Sequence, residues 1–230
     1  MKQTLCLAAA AAIAATCGLT GTAAAATIVH DTVAEFTTID LQQGKATGST
    51  ATPNQSVAAN RSVLANMFDN DNSTLLSLGL GGTGAGGTLS LLIAPTDNVI
   101  TSGSVIELTN VGSGHKEKAD LFLGTNLGSW VKIGTLFNDA LGATVSVVAN
   151  PYATLSAVDG NGPTTYSLTV LSGSFNSLRL EDKSEIVAGN RDGFDIAELR
   201  ITSVPEPATL ALLGAGLLGL AGLQRVRRRA

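Results

Sequence analysis

The chain has 230 residues, 14 Lys and Arg against 18 Asp and Glu, a formal net charge of −4, and only 4% aromatic residues. Five of the bases (Lys2, Arg225, Arg227, Arg228 and Arg229) lie at the two ends, so the middle is more acidic than the average and repels nucleic-acid phosphates and anionic lipid. Both cysteines, Cys6 and Cys17, fall in the first apolar segment, which excludes disulfides, thiolate zinc sites and a cysteine nucleophile from the remainder.

The first 26 residues read as a secretory signal peptide. Lys2 supplies a short positive start, Leu5 to Ala15 an apolar run, and Ala24-Ala25-Ala26 the small-residue pattern that signal peptidase cuts, here before Thr27. Lipidation at Cys17 is the competing reading, and Ala14 and Thr16 fit it poorly.

Thr27–Ser203 reads as one extracellular all-β domain. Short runs rich in Val, Ile, Leu and Thr recur between Gly, Asn, Asp, Ser and Pro clusters: Thr27–Val33, Leu75–Leu80, Thr88–Ala94, Ser104–Val111, Ala119–Gly124, Trp130–Leu136, Ala143–Ala149, Thr164–Leu171, Ser177–Glu181 and Phe194–Ile201. The spacing of Phe194 and Ile196 against Leu199 and Ile201 switches face, which predicts a bulge near Ile196. Gln42–Ser56 reads as a long polar loop, and Val57–Met67 as the one short helix. About eight to ten strands without a helical layer must cover their apolar faces with each other, in an antiparallel β-sandwich or jelly roll.

Little in this domain points to catalysis. His30 and His115 are far apart in sequence and both are expected to face solvent. The glycine run from Gly79 to Gly87 has no following Lys-Ser/Thr and precedes a strand, so it reads as a hairpin loop rather than a phosphate cradle. Asp69 and Asp71 alternate oxygen ligands as a hard cation such as calcium takes them, and Asp192 with Asp195 and the Glu181, Asp182, Glu185 group are further acidic candidates. Asx-capped turns account for the same pattern without a metal. For a sugar ring the aromatic candidates are Trp130, which opens a strand, and Tyr152, in a loop after Pro151.

Residues 204–230 have three parts in order: Val204-Pro205-Glu206-Pro207, an apolar stretch from Ala208 to Leu223, and the arginines 225, 227, 228 and 229. The prolines keep the backbone extended, so the tripeptide is expected to stand clear of the fold. The apolar stretch is near the lower length for a transmembrane helix, and Arg225, Arg227, Arg228 and Arg229 would hold its end in the cytoplasm. Pro205, Glu206 and Pro207 with this helix and arginine cluster resemble the PEP-CTERM sorting signal of bacteria that make extracellular polysaccharide. The resemblance implies export through the inner membrane, a transient membrane anchor, and cutting near Pro-Glu-Pro by an exosortase-type membrane protease. The product would reach the cell surface or the extracellular matrix, among exopolysaccharide.

A second resemblance covers most of Leu75–Ile201. Ser77-Leu78-Gly79-Leu80-Gly81-Gly82, Val105-Ile106-Glu107-Leu108, Ala119-Asp120-Leu121-Phe122-Leu123, Trp130-Val131-Lys132-Ile133-Gly134 and the ending from Asp192 to Leu199 are similar to galactose-binding-like sandwiches. Two functions remain open on these residues. One is a non-enzymatic matrix or surface protein; the other is a lectin-like module that binds carbohydrate or calcium.

Overall fold

The computed structural model describes residues 26–47, 53–80, 86–107, 117–139, 142–159, 163–184 and 193–206. Their strands, in chain order, are β1 Ile28–His30, β2 Phe36–Gln42, β3 Lys45–Thr47, β4 Pro53–Ser56, β5 Leu76–Ser77, β6 Thr88–Ile93 and β7 Asn98–Glu107. There follow β8 Glu117–Thr125, β9 Gly128–Asp139, β10 Gly142–Val147, β11 Ala153–Asp159, β12 Thr164–Val170, β13 Ser177–Asp182 and β14 Asp195–Pro205.

β3 and β4 pair with each other, and the other twelve form two antiparallel six-stranded sheets. One runs β1-β14-β7-β12-β11, with β5 also on β14; the other runs β10-β9-β8-β13-β6-β2. Alternating apolar residues explain why the sheets stack: Leu89, Leu91 and Ile93 of β6, Leu121 and Leu123 of β8 and Leu178 and Leu180 of β13 meet Val105, Tyr166, Leu168, Leu199 and Ile201 of the other sheet in one buried cluster. Complete burial of a Leu or Ile side chain contributes roughly 1.5–3 kcal/mol. The shared core is therefore what holds this cysteine-free domain together.

The predicted bulge is present. The β14–β7 register shifts between Ile196 and Glu198, which lets Phe194, Ile196, Leu199 and Ile201 all be buried despite the change of parity. Among the described residues no helix is long and apolar enough to cross a membrane, and the stretch expected to do so lies outside them.

Three expectations are corrected. The predicted loop at Gln42–Ser56 contains the small β3–β4 hairpin, and Lys45 also bridges to Leu80. Gly79 permits that approach: its φ is +82°, and a Cβ there would sit 2.8 Å from the Gly44 backbone. The predicted helix over Val57–Met67 is instead two 3₁₀ turns, Ala59–Arg61 and Leu64–Met67. Side chains divert its backbone acceptors, since Ser62 Oγ donates to the Ala58 carbonyl and Asn66 Nδ2 to that of Asn60. Leu75–Leu80 is strand only at Leu76–Ser77.

Candidate functional site where the last strand leaves the sandwich

β14 carries the chain out of the domain from between β1 and β7. After a second register shift, between Thr202 and Ser203, its final residues pair with the start of β7: Ser203 faces Ile100, Val204 faces Val99 and Pro205 faces Asn98. Pro205 ends the strand because it has no N–H to continue the ladder. One residue further, the Glu206 N–H still donates to the Asp97 carbonyl at 3.2 Å.

β1 secures the same end from the opposite side. His30, fully buried rather than solvent-facing, has Nδ1 3.1 Å from the Glu35 carbonyl and Nε2 2.7 Å from Ser203 Oγ. A carbonyl only accepts, so Nδ1 holds the proton and Nε2 accepts from the Ser203 hydroxyl. The expectation that Pro-Glu-Pro stands clear of the fold is corrected: Pro205 and Glu206 are exposed, yet their backbone is bound to the sheet. Pro207 and Arg225, Arg227, Arg228 and Arg229 lie outside the described residues.

Residues 203–229 match the PEP-CTERM protein-sorting motif. The motif marks an exported chain sorted by an exosortase-type membrane enzyme to the cell surface or extracellular space. It begins at Ser203, so the first residues of the PEP-CTERM motif are also the last residues of the sheet. No curated protein matches the chain.

A cavity of about 170 Å³ opens beside Glu206, lined by Thr96, Asp97, Asn98, Asn126 and Asn176 among others. Asn176 organises it with every valence of its amide. Its Oδ1 accepts from the Asn126 N–H (2.7 Å) and Ser177 Oγ (3.1 Å), while Nδ2 donates to the Thr96 carbonyl (2.6 Å) and Asn126 Oδ1 (2.9 Å). These bonds hold a strained turn, because Asn126 and Leu127 both have positive φ between β8 and β9. Asn98 is buried, and its Nδ2 has no partner among the described residues. The Asp97 and Glu206 carboxylates make the cavity uninviting to anions.

Both aromatic candidates come to this end, and neither lines the cavity. Trp130 is half-buried over Gly124, where a Cβ would lie 2.5 Å from its ring. Tyr152 is half-buried too, edge-on to Phe175 with ring centroids 5.6 Å apart.

The acidic candidates are dispersed. Asp69 accepts from the Asp71 N–H and Thr74 Oγ1, and Asp71 from the Ser73 N–H and hydroxyl. The Ser73 bonds hold the Asp71 carboxyl below its ordinary range. Asp195 is buried and 3.5 Å from Arg61, Glu181 pairs with Arg179 and Lys183, and Asp192, Glu185 and His115 lie outside the described residues. Among the described residues no three His, Cys, Asp or Glu side chains are grouped to hold a metal ion.

A polar cluster that the sequence reading missed sits at the opposite end of β7. Glu107 is fully buried and hydrogen-bonded to the buried Glu117 of β8, to Asn138 Nδ2 (2.9 Å) and to Tyr166 Oη (3.0 Å). Burial pushes the Glu107 carboxyl up to about 7, against the opposing effect of these hydrogen bonds. Asp182, also buried, is pushed up to about 6 although Ser184 and the Phe194 N–H donate to it. The available clue was a lone carboxylate inside the apolar run Val105-Ile106-Glu107-Leu108.

Proposed function

We propose that the exported sandwich is a non-enzymatic component of the cell surface or extracellular matrix, delivered by its sorting tail among exopolysaccharide. The observation that carries the reading is the PEP-CTERM motif joined without a spacer to a folded all-β domain. His30, the one histidine among the described residues, is fully buried together with its partner Ser203, which counts against its use as a general base on a substrate. The leader would be cut by signal peptidase before Thr27, and the tail would hold the precursor in the inner membrane until an exosortase-type protease acts. The test is the mass of the product recovered from a host with that enzyme. A chain beginning near Thr27 and ending between Pro205 and Pro207 is expected; recovery of the Arg225–Ala230 tail on the mature protein overturns the reading.

The second reading is a lectin-like module of galactose-binding-like type. It is favoured by the amide- and hydroxyl-lined cavity beside Glu206, with a volume near that of one sugar ring and with Trp130 and Tyr152 on the same end. The exported product would be titrated against neutral and acidic polysaccharides, with calcium and with chelator. Saturable binding that weakens in Asn98→Ala selects the lectin reading. Absence of binding across the panel leaves the matrix or surface role alone.

A further inference from the structure

The sorting motif and the sandwich use the same residues. Ser203 is buried, faces Ile100 on β7 and donates to His30 on β1; Val204 and Pro205 face Val99 and Asn98; Glu206 is bonded through its N–H to Asp97. A protease takes its substrate as an extended segment whose backbone donors and acceptors pair with the enzyme. In the closed sandwich Ser203 is paired with both β1 and β7, while Val204, Pro205 and the Glu206 N–H are held along one edge by β7 and Asp97. Nor is there chain to spare on the other side. Only Pro207 separates Glu206 from Ala208, where the apolar stretch begins. At no more than about 3.6 Å per residue, Glu206 stays within about 7 Å of that stretch. The motif therefore has no slack with which to loop into an active site while the strand remains in place.

We propose that the fold masks its own processing site: the exosortase-type protease acts on an opened state in which the end of β14, from Val204 onward, has left β7. Strand ends open locally without global unfolding, so the masked site is reached at the frequency of that opening. Cutting itself is ordinary peptide cleavage. The carbonyl carbon passes to water or to an acceptor amine, and the nitrogen of the released tail leaves with a proton. The inference rests on the reading of the tail as an exosortase substrate and adds that the fold controls access to it.

Val99 and Val204 stand directly opposite, within reach of a cross-strand disulfide once both are cysteine. In the exported domain the engineered pair would have no competing thiol, because Cys6 and Cys17 precede Thr27. The full-length chain carrying Val99→Cys and Val204→Cys is expressed in a host with the enzyme, and tail loss is followed by mass. Thiol alkylation reports the fraction that is cross-linked. We expect that fraction to be processed at least tenfold more slowly than the parent, reductant to restore the rate, and each single cysteine variant to behave like the parent. Inserting Ser-Gly-Ser-Gly between Val204 and Pro205 of the locked chain moves the motif beyond the sheet and should restore processing without reductant. Processing of the cross-linked fraction at the parental rate overturns the proposal. So does failure of the spacer to rescue, since the lock would then act by another route. An unprocessed parent overturns the sorting reading itself, and the two failures are told apart by that control.

Discussion

A carboxyl group buried in hydrogen-bond contact with a second carboxyl needs a proton between them, and Glu107 with Glu117 is such a pair. Its ordinary value of 4.5 and its folded value of about 7 define a window in which the native state keeps a proton that the unfolded chain has lost. The stability this contributes is fully present below 4.5 and is lost as pH rises through 7. Asp182 acts with the same sign, between 3.8 and about 6. We predict that urea unfolding shows Glu107→Gln gaining on the parent as pH rises from 4.5 to 7.5, by roughly 1–3 kcal/mol. A constant difference across that range would show that no proton is shared. Where the Asp69 and Asp71 side chains cap their own loop, the expected result is a fall in melting temperature for Asp69→Ala that is the same in calcium and in chelator. A fall seen only in calcium would show a bound ion.

The element that shows most clearly how a single side chain sets local geometry is the β8–β9 hairpin. Its turn residue Leu127 has a φ of 57°, which no β-propensity would choose, and the N–H groups of Asn126 and Leu127 are held by Asn176 Oδ1 and Ser177 Oγ. Asn176→Ala leaves the Asn126 N–H without its acceptor and should destabilise the domain by about 2–3 kcal/mol in denaturant titration. Gly124→Ala brings a methyl group against the Trp130 ring and the Gly128 carbonyl, with an expected cost of about 1–3 kcal/mol. Because Trp130 is the only tryptophan, a shift in its emission reports whether the indole is the part that moves. Core strands such as β6, β8 and β13 were legible because Leu89 and Leu91 flank Ser90, Leu178 and Leu180 flank Arg179, and Leu121-Phe122-Leu123 is a short apolar run. β2 and β11 were not, as sheet edges whose alternating positions hold small or half-buried residues, Ala153 and Ala157 among them. The motif at Pro205 and Glu206 was legible from order and spacing. Its attachment to β7 was not, since the partners Asp97 and Asn98 lie about a hundred residues earlier and no local pattern links them.

For the whole molecule, the sheet ends two residues past the boundary that composition suggests. A chain finishing at Glu206 keeps the Val204–Val99 and Pro205–Asn98 pairings and the Glu206 bond, whereas one finishing at Ser203 lacks them. The shorter chain should be less stable by roughly 1–3 kcal/mol, the net contribution of two or three strand-end hydrogen bonds. Equal denaturation midpoints would mean that these pairings are open most of the time. The result also defines what the mature product is, because a cut before Pro205 would release a weaker domain than a cut after Glu206.

The position of β14 has one further consequence, which concerns time. Of the described strands it is the last to be synthesised, yet it lies inside its sheet, between β1, the first of them, and β7. Until it arrives, both of those strands present unpaired edges. An emerging chain therefore cannot close this sheet at leisure while its end is still being made. Closure waits for Asp195–Pro205, and the sorting segment follows at once. Completion of the domain and delivery of its address thus fall at the same moment of export.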